Sequence, residues 1–316
     1  MTMSKRVILA ASALVSASLV TPFVAAQQPQ QREPDSAAAV PEGVTLIDDV
    51  RFASVDGKDL LLDIYMPADV VAPPLLVWVH GGGWSRGTHN RVSTFSFVEA
   101  GYALASVEYR LSGVAPFPAQ MHDIKGAIRF LRAQAGAYGF DAERIVILGV
   151  SAGAHLAALA ATTNGDTELE GTVGGNLDQS SDLVAAVSYF GASNLTTILA
   201  QSTPFGLNIR VPGLTALFGG PPEERTELAE LASPVFHVDA SDPPLLLLHG
   251  DQDPQMPINQ SHELHGAYEA LGLDVHFEVI HGAKHGGAAF FDDEHSALVL
   301  SFLDRNVRNY VSDARR

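Results

Sequence analysis

The chain has 316 residues, 47% of them hydrophobic, with no cysteine and a formal net charge of −17. That length and apolar content fit one large α/β domain with an ordinary core, which needs no disulfide or metal staple. The charge argues against nucleic acid and anionic lipid as partners. The missing thiol excludes a disulfide and a lipid-modified N-terminal cysteine.

The chain starts with Lys5 and Arg6, an apolar run over 7–20, and the small residues Val24, Ala25 and Ala26. This reads as a secretory signal peptide over 1–26. Its loss takes the net charge to −17 − 2 = −19. The apolar run is too short for a comfortable membrane span. The expectation is an exported protein, periplasmic or secreted, with no membrane contact after cleavage. Residues 27–42 are polar and punctuated by proline, and read as a flexible linker. The folded domain is expected over 43–312.

Residues 44–55 and 60–65 predict two strands around the turn Asp56-Gly57-Lys58, paired as a hairpin at a sheet edge. Residues 75–79 are continuously apolar and predict a central strand. It runs into His80-Gly81-Gly82-Gly83-Trp84. Three successive glycines let backbone N–H groups turn toward a substrate oxygen, as an oxyanion hole requires; they also suit a merely flexible turn. His80 is expected to order this loop by hydrogen bonds. A strand over 102–109 leads into Tyr109-Arg110-Leu111, where Arg110 is read as a structural partner for Asp123. Met121, Ile124, Ile128, Leu131 and Ala135 recur at helical spacing and predict an amphipathic helix over 120–138.

Residues 144–148 are aliphatic apart from Arg144 and predict a buried strand. Good helix formers fill 154–161. Between them lies Gly149-Val150-Ser151-Ala152-Gly153. Ser151 therefore sits on a strand-to-helix turn that the flanking glycines let bend sharply. The turn lifts the Ser151 hydroxyl off the sheet and sets the Ala152 N–H at a helix N-terminus. The other reading of Ser151 is a helix N-cap. His155, one turn into the helix, is expected to be a packed core histidine.

A strand over 183–189 follows. Residues 194–231 then break the strand–helix rhythm with an apolar insertion, placed as a cap at about 192–232. Two readings stay open: a cover that shapes an acyl pocket, or an extra helix pair packed for stability. A strand over 243–249 runs into the loop 250–257, which holds Asp251 and Asp253. A helix over 259–271, a last strand over 275–280, a loop with His281 and His285, and a helix over 294–311 complete the chain.

Strands alternating with helices predict a mostly parallel sheet covered on both faces. Ligands of such sheets bind beyond the carboxyl ends of the strands, and Ser151, Asp253 and His285 each follow a strand. Their order, Ser then acid then His, is that of an α/β-hydrolase. A serine hydroxyl needs a base to take its proton, a histidine serves at neutral pH, and an acid fixes the imidazole tautomer. The oxyanion would meet the N–H groups of Ala152 and of Gly82 or Gly83. Asp253 precedes Pro254, which restricts it to an extended conformation. Asp251 directly follows Gly250 and suits a turn carboxylate accepting backbone N–H bonds.

His80-Gly81-Gly82-Gly83-Trp84, Tyr109-Arg110-Leu111, Gly149-Val150-Ser151-Ala152-Gly153, Ser233-Pro234-Val235, the 249–257 loop and Gly282-Ala283-Lys284-His285-Gly286 together resemble the α/β-hydrolase esterases typified by bifunctional feruloyl and acetyl xylan esterases. The resemblance covers roughly residues 44 to 310 and is more distant to the hormone-sensitive lipase family, which carries Asp where this chain has Val150. It implies hydrolysis of small-molecule or polysaccharide esters without metal or cofactor, and it points to Asp253 and His285 as acid and base. Three rivals remain: a peptidase or amidase on the same residues, a binding module on a hydrolase fold, and a metal site at His281 and His285 or at His262 and His265. The last lacks cysteine and a clustered third ligand.

Overall fold

The computed structural model describes residues 40–308; the expected signal peptide, nearly all of the expected linker and the end of the last expected helix lie outside the described residues. In chain order the elements are β1 (Val44–Val55), β2 (Lys58–Pro67), β3 (Pro74–Val79), α1 (Ser96–Glu99), β4 (Ala103–Val107), α2 (Ala119–Tyr138), β5 (Asp141–Val150) and α3 (Ala152–Ala161). They continue as β6 (Ala185–Tyr189), α4 (Ile198–Gln201), α5 (Pro204–Phe218), α6 (Thr226–Leu231), β7 (Leu245–Gly250), α7 (Asn259–Leu271), β8 (Val275–Ile280) and α8 (Asp293–Leu303). Among the described residues, no helix is long and apolar enough to cross a membrane.

The strands form one sheet in the order β1-β2-β4-β3-β5-β6-β7-β8. The β1–β2 and β2–β4 pairs are antiparallel and the remaining pairs parallel. This is the α/β-hydrolase arrangement. Strands β3, β4, β6 and β7 are buried along their whole length, as strands covered on both faces must be. Side chains alternate between faces. Leu75, Val77 and Val79 of β3 pack with Ile124 and Leu131 of α2 and Leu156 of α3, while Leu76 and Trp78 pack with Phe97 of α1 and Phe302 of α8. The edge strand β1 is broken by register shifts at Ile47/Val50 and Arg51/Ala53, and such bulges discourage pairing with another chain.

The order of strands places the site. From β3 the chain moves to β4 on one side, and from β5 it moves to β6, β7 and β8 on the other. The loops after β3 and β5 therefore leave the sheet side by side, at the switch point where such sheets bind ligands; Val79 is the register partner of Gly149.

Two expectations are adjusted. The strand over 102–109 is shorter, Ala103–Val107, because Tyr109 leaves the sheet and its hydroxyl donates to the His80 carbonyl at 3.1 Å. The last helix begins at Asp293 and changes at Asp304–Arg308 to a π-helical turn.

Candidate active site

Ser151 has φ 54° and ψ −118°, a conformation that costs a non-glycine residue on the order of 1–3 kcal/mol unless the surroundings enforce it. Here the Ser151 N–H donates to the Tyr189 carbonyl at 2.9 Å, and the Ser151 carbonyl accepts from the His155 N–H at 3.1 Å. The hydroxyl makes no cap hydrogen bond to α3. It lies instead 2.8 Å from His285 Nε2. Of the two readings of Ser151, the geometry carries the raised hydroxyl.

The elbow glycines serve the turn by leaving out a Cβ rather than by a left-handed backbone. Neither Gly149 nor Gly153 has a left-handed φ. A Cβ on Gly153 would lie 2.1 Å from the Val79 carbonyl oxygen and 2.5 Å from that of His80, and one on Gly149 would lie 2.5 Å from the Gly153 backbone. These glycines permit the end of β3 and the start of α3 to touch. The same close approach continues at Gly81, whose Cβ would lie 2.9 Å from the Val150 oxygen and 3.4 Å from Ser151 Cβ. Gly153→Ala is expected to destabilise by about 3 kcal/mol or more, the upper end for overpacking, because backbone rather than a side chain must move. Urea unfolding checks this; a loss under about 1 kcal/mol would show that the contact relaxes cheaply.

The glycine loop is held from behind. Gly82 and Gly83 have φ of 118° and 59°, turning successive peptide planes as only glycine does cheaply. The His80 ring stacks on Tyr109 with centroids 4.4 Å apart, and its Nδ1 donates to the Gly81 carbonyl at 2.8 Å. Burial pushes the His80 pKa down to about 4, against a smaller opposite pull from the Gly81 hydrogen bond, so the ring stays neutral. Arg110 grips the buried Asp123 carboxylate through Nε and Nη2, in the structural role expected of it. Ala152 is the first residue of α3, and an N–H there has no intrahelical partner. Gly82 and Gly83 thus lie in the loop after β3, and Ala152 at the N-terminus of α3 directly after Ser151.

The Asp253 side chain is fully buried. Its Oδ1 accepts the N–H groups of Gln255 and Met256 at 2.7 and 2.9 Å, and its Oδ2 accepts His285 Nδ1–H at 2.6 Å. His285 therefore has both ring nitrogens engaged, one on the acid and one on Ser151, and offers no lone pair to a metal. Burial alone would raise the Asp253 pKa, but hydrogen bonds from His249 and His285 outweigh it and hold the group well below the usual carboxylate range. Asp251 stands apart. It accepts the Gly282 N–H at 2.7 Å and pairs with the exposed His281 at 2.8 Å. The two carboxylates, two residues apart, serve two different histidines. His262 and His265 pack against the Phe277 ring.

Several neighbours of the site have contacts that the sequence alone does not announce. His249 is buried, with Nε2 3.1 Å from the Met256 carbonyl and 3.5 Å from Asp253 Oδ2, and Nδ1 2.7 Å from Ser261 Oγ. The carbonyl only accepts, so Nε2 carries a proton. Phe190 meets the His285 ring edge-on at 4.8 Å. Trp84 is buried, and its indole N–H donates to His155 Nδ1 at 3.1 Å, while His155 Nε2 donates to the Ala232 carbonyl at 2.6 Å. Burial lowers the His155 pKa to about 4, which keeps that ring neutral and able to accept. His155 thus joins the elbow helix to the insertion. Trp84 beside the glycine run and His249 at the head of the 249–257 loop were the available signals; Phe190 and Arg210 of α5 carried none.

The arrangement is a hydroxyl aligned with an imidazole, an imidazole aligned with a buried carboxylate, and a helix N-terminus beside a glycine-rich loop. It can deliver a nucleophilic oxygen to an acyl carbon and collect the proton.

The BD-FAE family model matches residues 62–268. Esterase LipQ of Mycobacterium tuberculosis is 32% identical over 272 residues, which cover 81% of this chain and 59% of LipQ; Esterase LipC of the same organism is 28% identical, over 82% of this chain and 66% of LipC. The chain thus spans about three fifths to two thirds of the length of these relatives. Among solved structures, a truncated carbohydrate esterase from gut microbiota superposes with a TM-score of 0.74 at 29% identity, over 84% of this chain and 97% of the other. Thermogutta terrifontis esterase 2 phosphonylated by cyclosarin gives a TM-score of 0.67 at 25% identity, over 84% and 95%.

Proposed function

As the chain belongs to the BD-FAE family, we propose that it is a serine carboxylesterase in which Ser151 is the nucleophile, His285 the general base and Asp253 the group that orients His285. The observation that carries this reading is the unbroken contact from Ser151 Oγ through His285 to the buried Asp253, at 2.8 and 2.6 Å. Ser151 Oγ attacks the ester carbonyl carbon as His285 Nε2 takes its proton, and the carbonyl electron pair moves to oxygen. The N–H groups of Ala152 and of Gly82 or Gly83 receive that oxyanion. Collapse expels the alcohol, which takes the proton from His285, and leaves the acyl group on Ser151. Water then gives a proton to His285 as it attacks the acyl carbon; the bond from that carbon to Ser151 Oγ breaks, the acid departs, and Ser151 Oγ takes the proton back from His285.

The finer reading is an acetyl or feruloyl ester carried by plant polysaccharide. Family membership supports it, as does likeness to a carbohydrate esterase. The test is an ester panel at fixed enzyme concentration: p-nitrophenyl esters of increasing acyl length, methyl ferulate, acetylated xylan, and peptide anilides. Release of acetate from xylan or ferulate from its methyl ester, with the anilides inert, is the expected result; hydrolysis confined to the anilides would overturn the esterase. Because Thermogutta esterase 2 is phosphonylated by cyclosarin, a fluorophosphonate is expected to label Ser151 alone, as read by peptide mass. The export expected from residues 1–26 is part of the proposal and is checked by N-terminal sequencing of the mature protein.

A further inference from the structure

Helix α5 of the insertion rests on the turn that carries Asp253. Thr203 Oγ1 donates to the Pro254 carbonyl at 3.0 Å. A Cβ on Gly206 would lie 3.2 Å from that oxygen and 3.3 Å from the oxygen of Gln255. Arg210, one helical turn further on, is 4% exposed and donates through Nη2 to the Gln255 carbonyl at 2.8 Å. Its guanidinium carbon is 6.0 Å from the centroid of the Trp84 ring. Its Nε is buried without a hydrogen-bond partner.

This is an unusual place for a cation. The carboxylate whose charge acts on Arg210 is Asp253, and the Asp253 oxygens already serve Gln255, Met256 and His285. Burial lowers the Arg210 pKa to about 10, against a smaller pull upward from Asp253, so the group stays charged at neutral pH. A methionine of similar volume would fill the space without the desolvation cost of a buried charge. What the guanidinium adds is a hydrogen bond to the acid turn and positive charge beside the acid.

We propose that Arg210 is a positioning residue for the ester hydrolysis proposed above: it fixes the Asp253 turn through Gln255 and, by its charge, restrains the protonation of His285. The inference rests on His285 being the base. The titratable and charged groups around the Asp253–His285 pair are His249 from β7, Arg210 from α5, His155 and Ser151 at α3, and Lys284 and the Asp251–His281 pair on the outer loops. Of these, Arg210 is the buried permanent cation. Its charge favours the Asp253 carboxylate and opposes a second positive charge on His285. Removing it lets His285 hold its proton more tightly, so the acid limb of the kcat/KM–pH profile moves to higher pH.

The experiment compares wild type, Arg210→Met, Arg210→Gln and Arg210→Lys on a p-nitrophenyl ester from pH 4.5 to 9, roughly bracketing the ordinary histidine range, with Ser151→Ala alongside. Arg210→Met is expected to raise the midpoint of the acid limb by about half a pH unit or more and to lower kcat about tenfold through a looser acid turn, with KM little changed. Arg210→Gln keeps a donor for the Gln255 carbonyl and loses the charge, so its limb moves while more of kcat survives. Arg210→Lys keeps the charge, and its limb stays near wild type. A residue that only packs would move the melting temperature and leave every limb in place. If Arg210→Met fails to fold, Arg210→Gln carries the same reading of the limb. An unmoved limb in both neutral variants, with Ser151→Ala inactive, overturns the role of Arg210 alone; an active Ser151→Ala overturns the function on which it rests.

Discussion

Ser151→Ala is expected to abolish ester hydrolysis, with kcat falling by about 10⁴-fold or more, while the fold survives. The size follows from the chemistry. The methyl group has no lone pair to form the acyl bond, and the variant keeps only what binding and the oxyanion donors contribute without a nucleophile. Survival of the fold follows from the structure. The Ser151 hydroxyl is not a cap of α3 and bonds only toward His285, so alanine deletes no contact within the scaffold. Alanine also keeps the steric cost of the φ of 54° that serine already carries. The melting temperature is therefore expected to stay within a few degrees of wild type, or about 1 kcal/mol. The measurement is steady-state kinetics with circular dichroism on the same preparation. Activity retained above about a tenth of wild type, far from the loss of a nucleophile, would remove Ser151 from its assigned role.

Much of the frame was legible because parallel sheets write themselves plainly. Continuous apolar runs such as 75–79 and 245–248 require cover on both faces, and they became β3 and β7, buried throughout. Motif order alone places Ser151, Asp253 and His285 on one sheet edge. What the sequence did not carry is side-chain traffic between segments far apart in the chain. Arg210 meets Gln255 across 45 positions, and Trp84 meets His155 across 71; neither pair has a spacing rule. Nothing in the sequence assigns an element to 164–182. That stretch folds because Lys125 and Arg129 of α2 bury their charged ends against its Glu170 and its backbone carbonyls. No local pattern announces two cations on α2 as loop anchors, since helix cations are ordinarily solvated. The insertion stays open between packing and cover for the same reason: its apolar content fits both, and no spacing rule announces the bonds from Thr203 and Arg210 to the acid turn.

Asp253→Asn and Asp251→Asn are expected to part company sharply. In Asp253→Asn the amide still fits the buried site, but its oxygen stays on the N–H groups of Gln255 and Met256 and its NH₂ end faces His285 Nδ1. The imidazole then turns to the other tautomer, with the proton on Nε2 facing Ser151, and no longer accepts the serine proton; the expected loss in kcat is about 10³ to 10⁴. Asp251 instead bonds the Gly282 N–H and His281 on the outer side of the turn. Its amide variant keeps an acceptor for Gly282, so kcat is expected to stay within about threefold, with a melting temperature lower by a few degrees. His281→Gln is expected to behave like Asp251→Asn, and His285→Gln like Asp253→Asn. Acid stability gives a second readout on the same proteins. The folded-state pKa of Asp253 lies below its unfolded value, so the group contributes stability above the ordinary carboxylate range, and that contribution is lost as pH falls through the folded pKa. Asp253→Asn has no such proton to gain, and its stability is expected to fall less between pH 7 and the acid side of the ordinary Asp pKa, about 3.9, than that of wild type. Kinetics and urea unfolding on the four variants decide the matter: a catalytic collapse confined to Asp251→Asn and His281→Gln would mean that the exposed pair, and not the buried one, drives the serine.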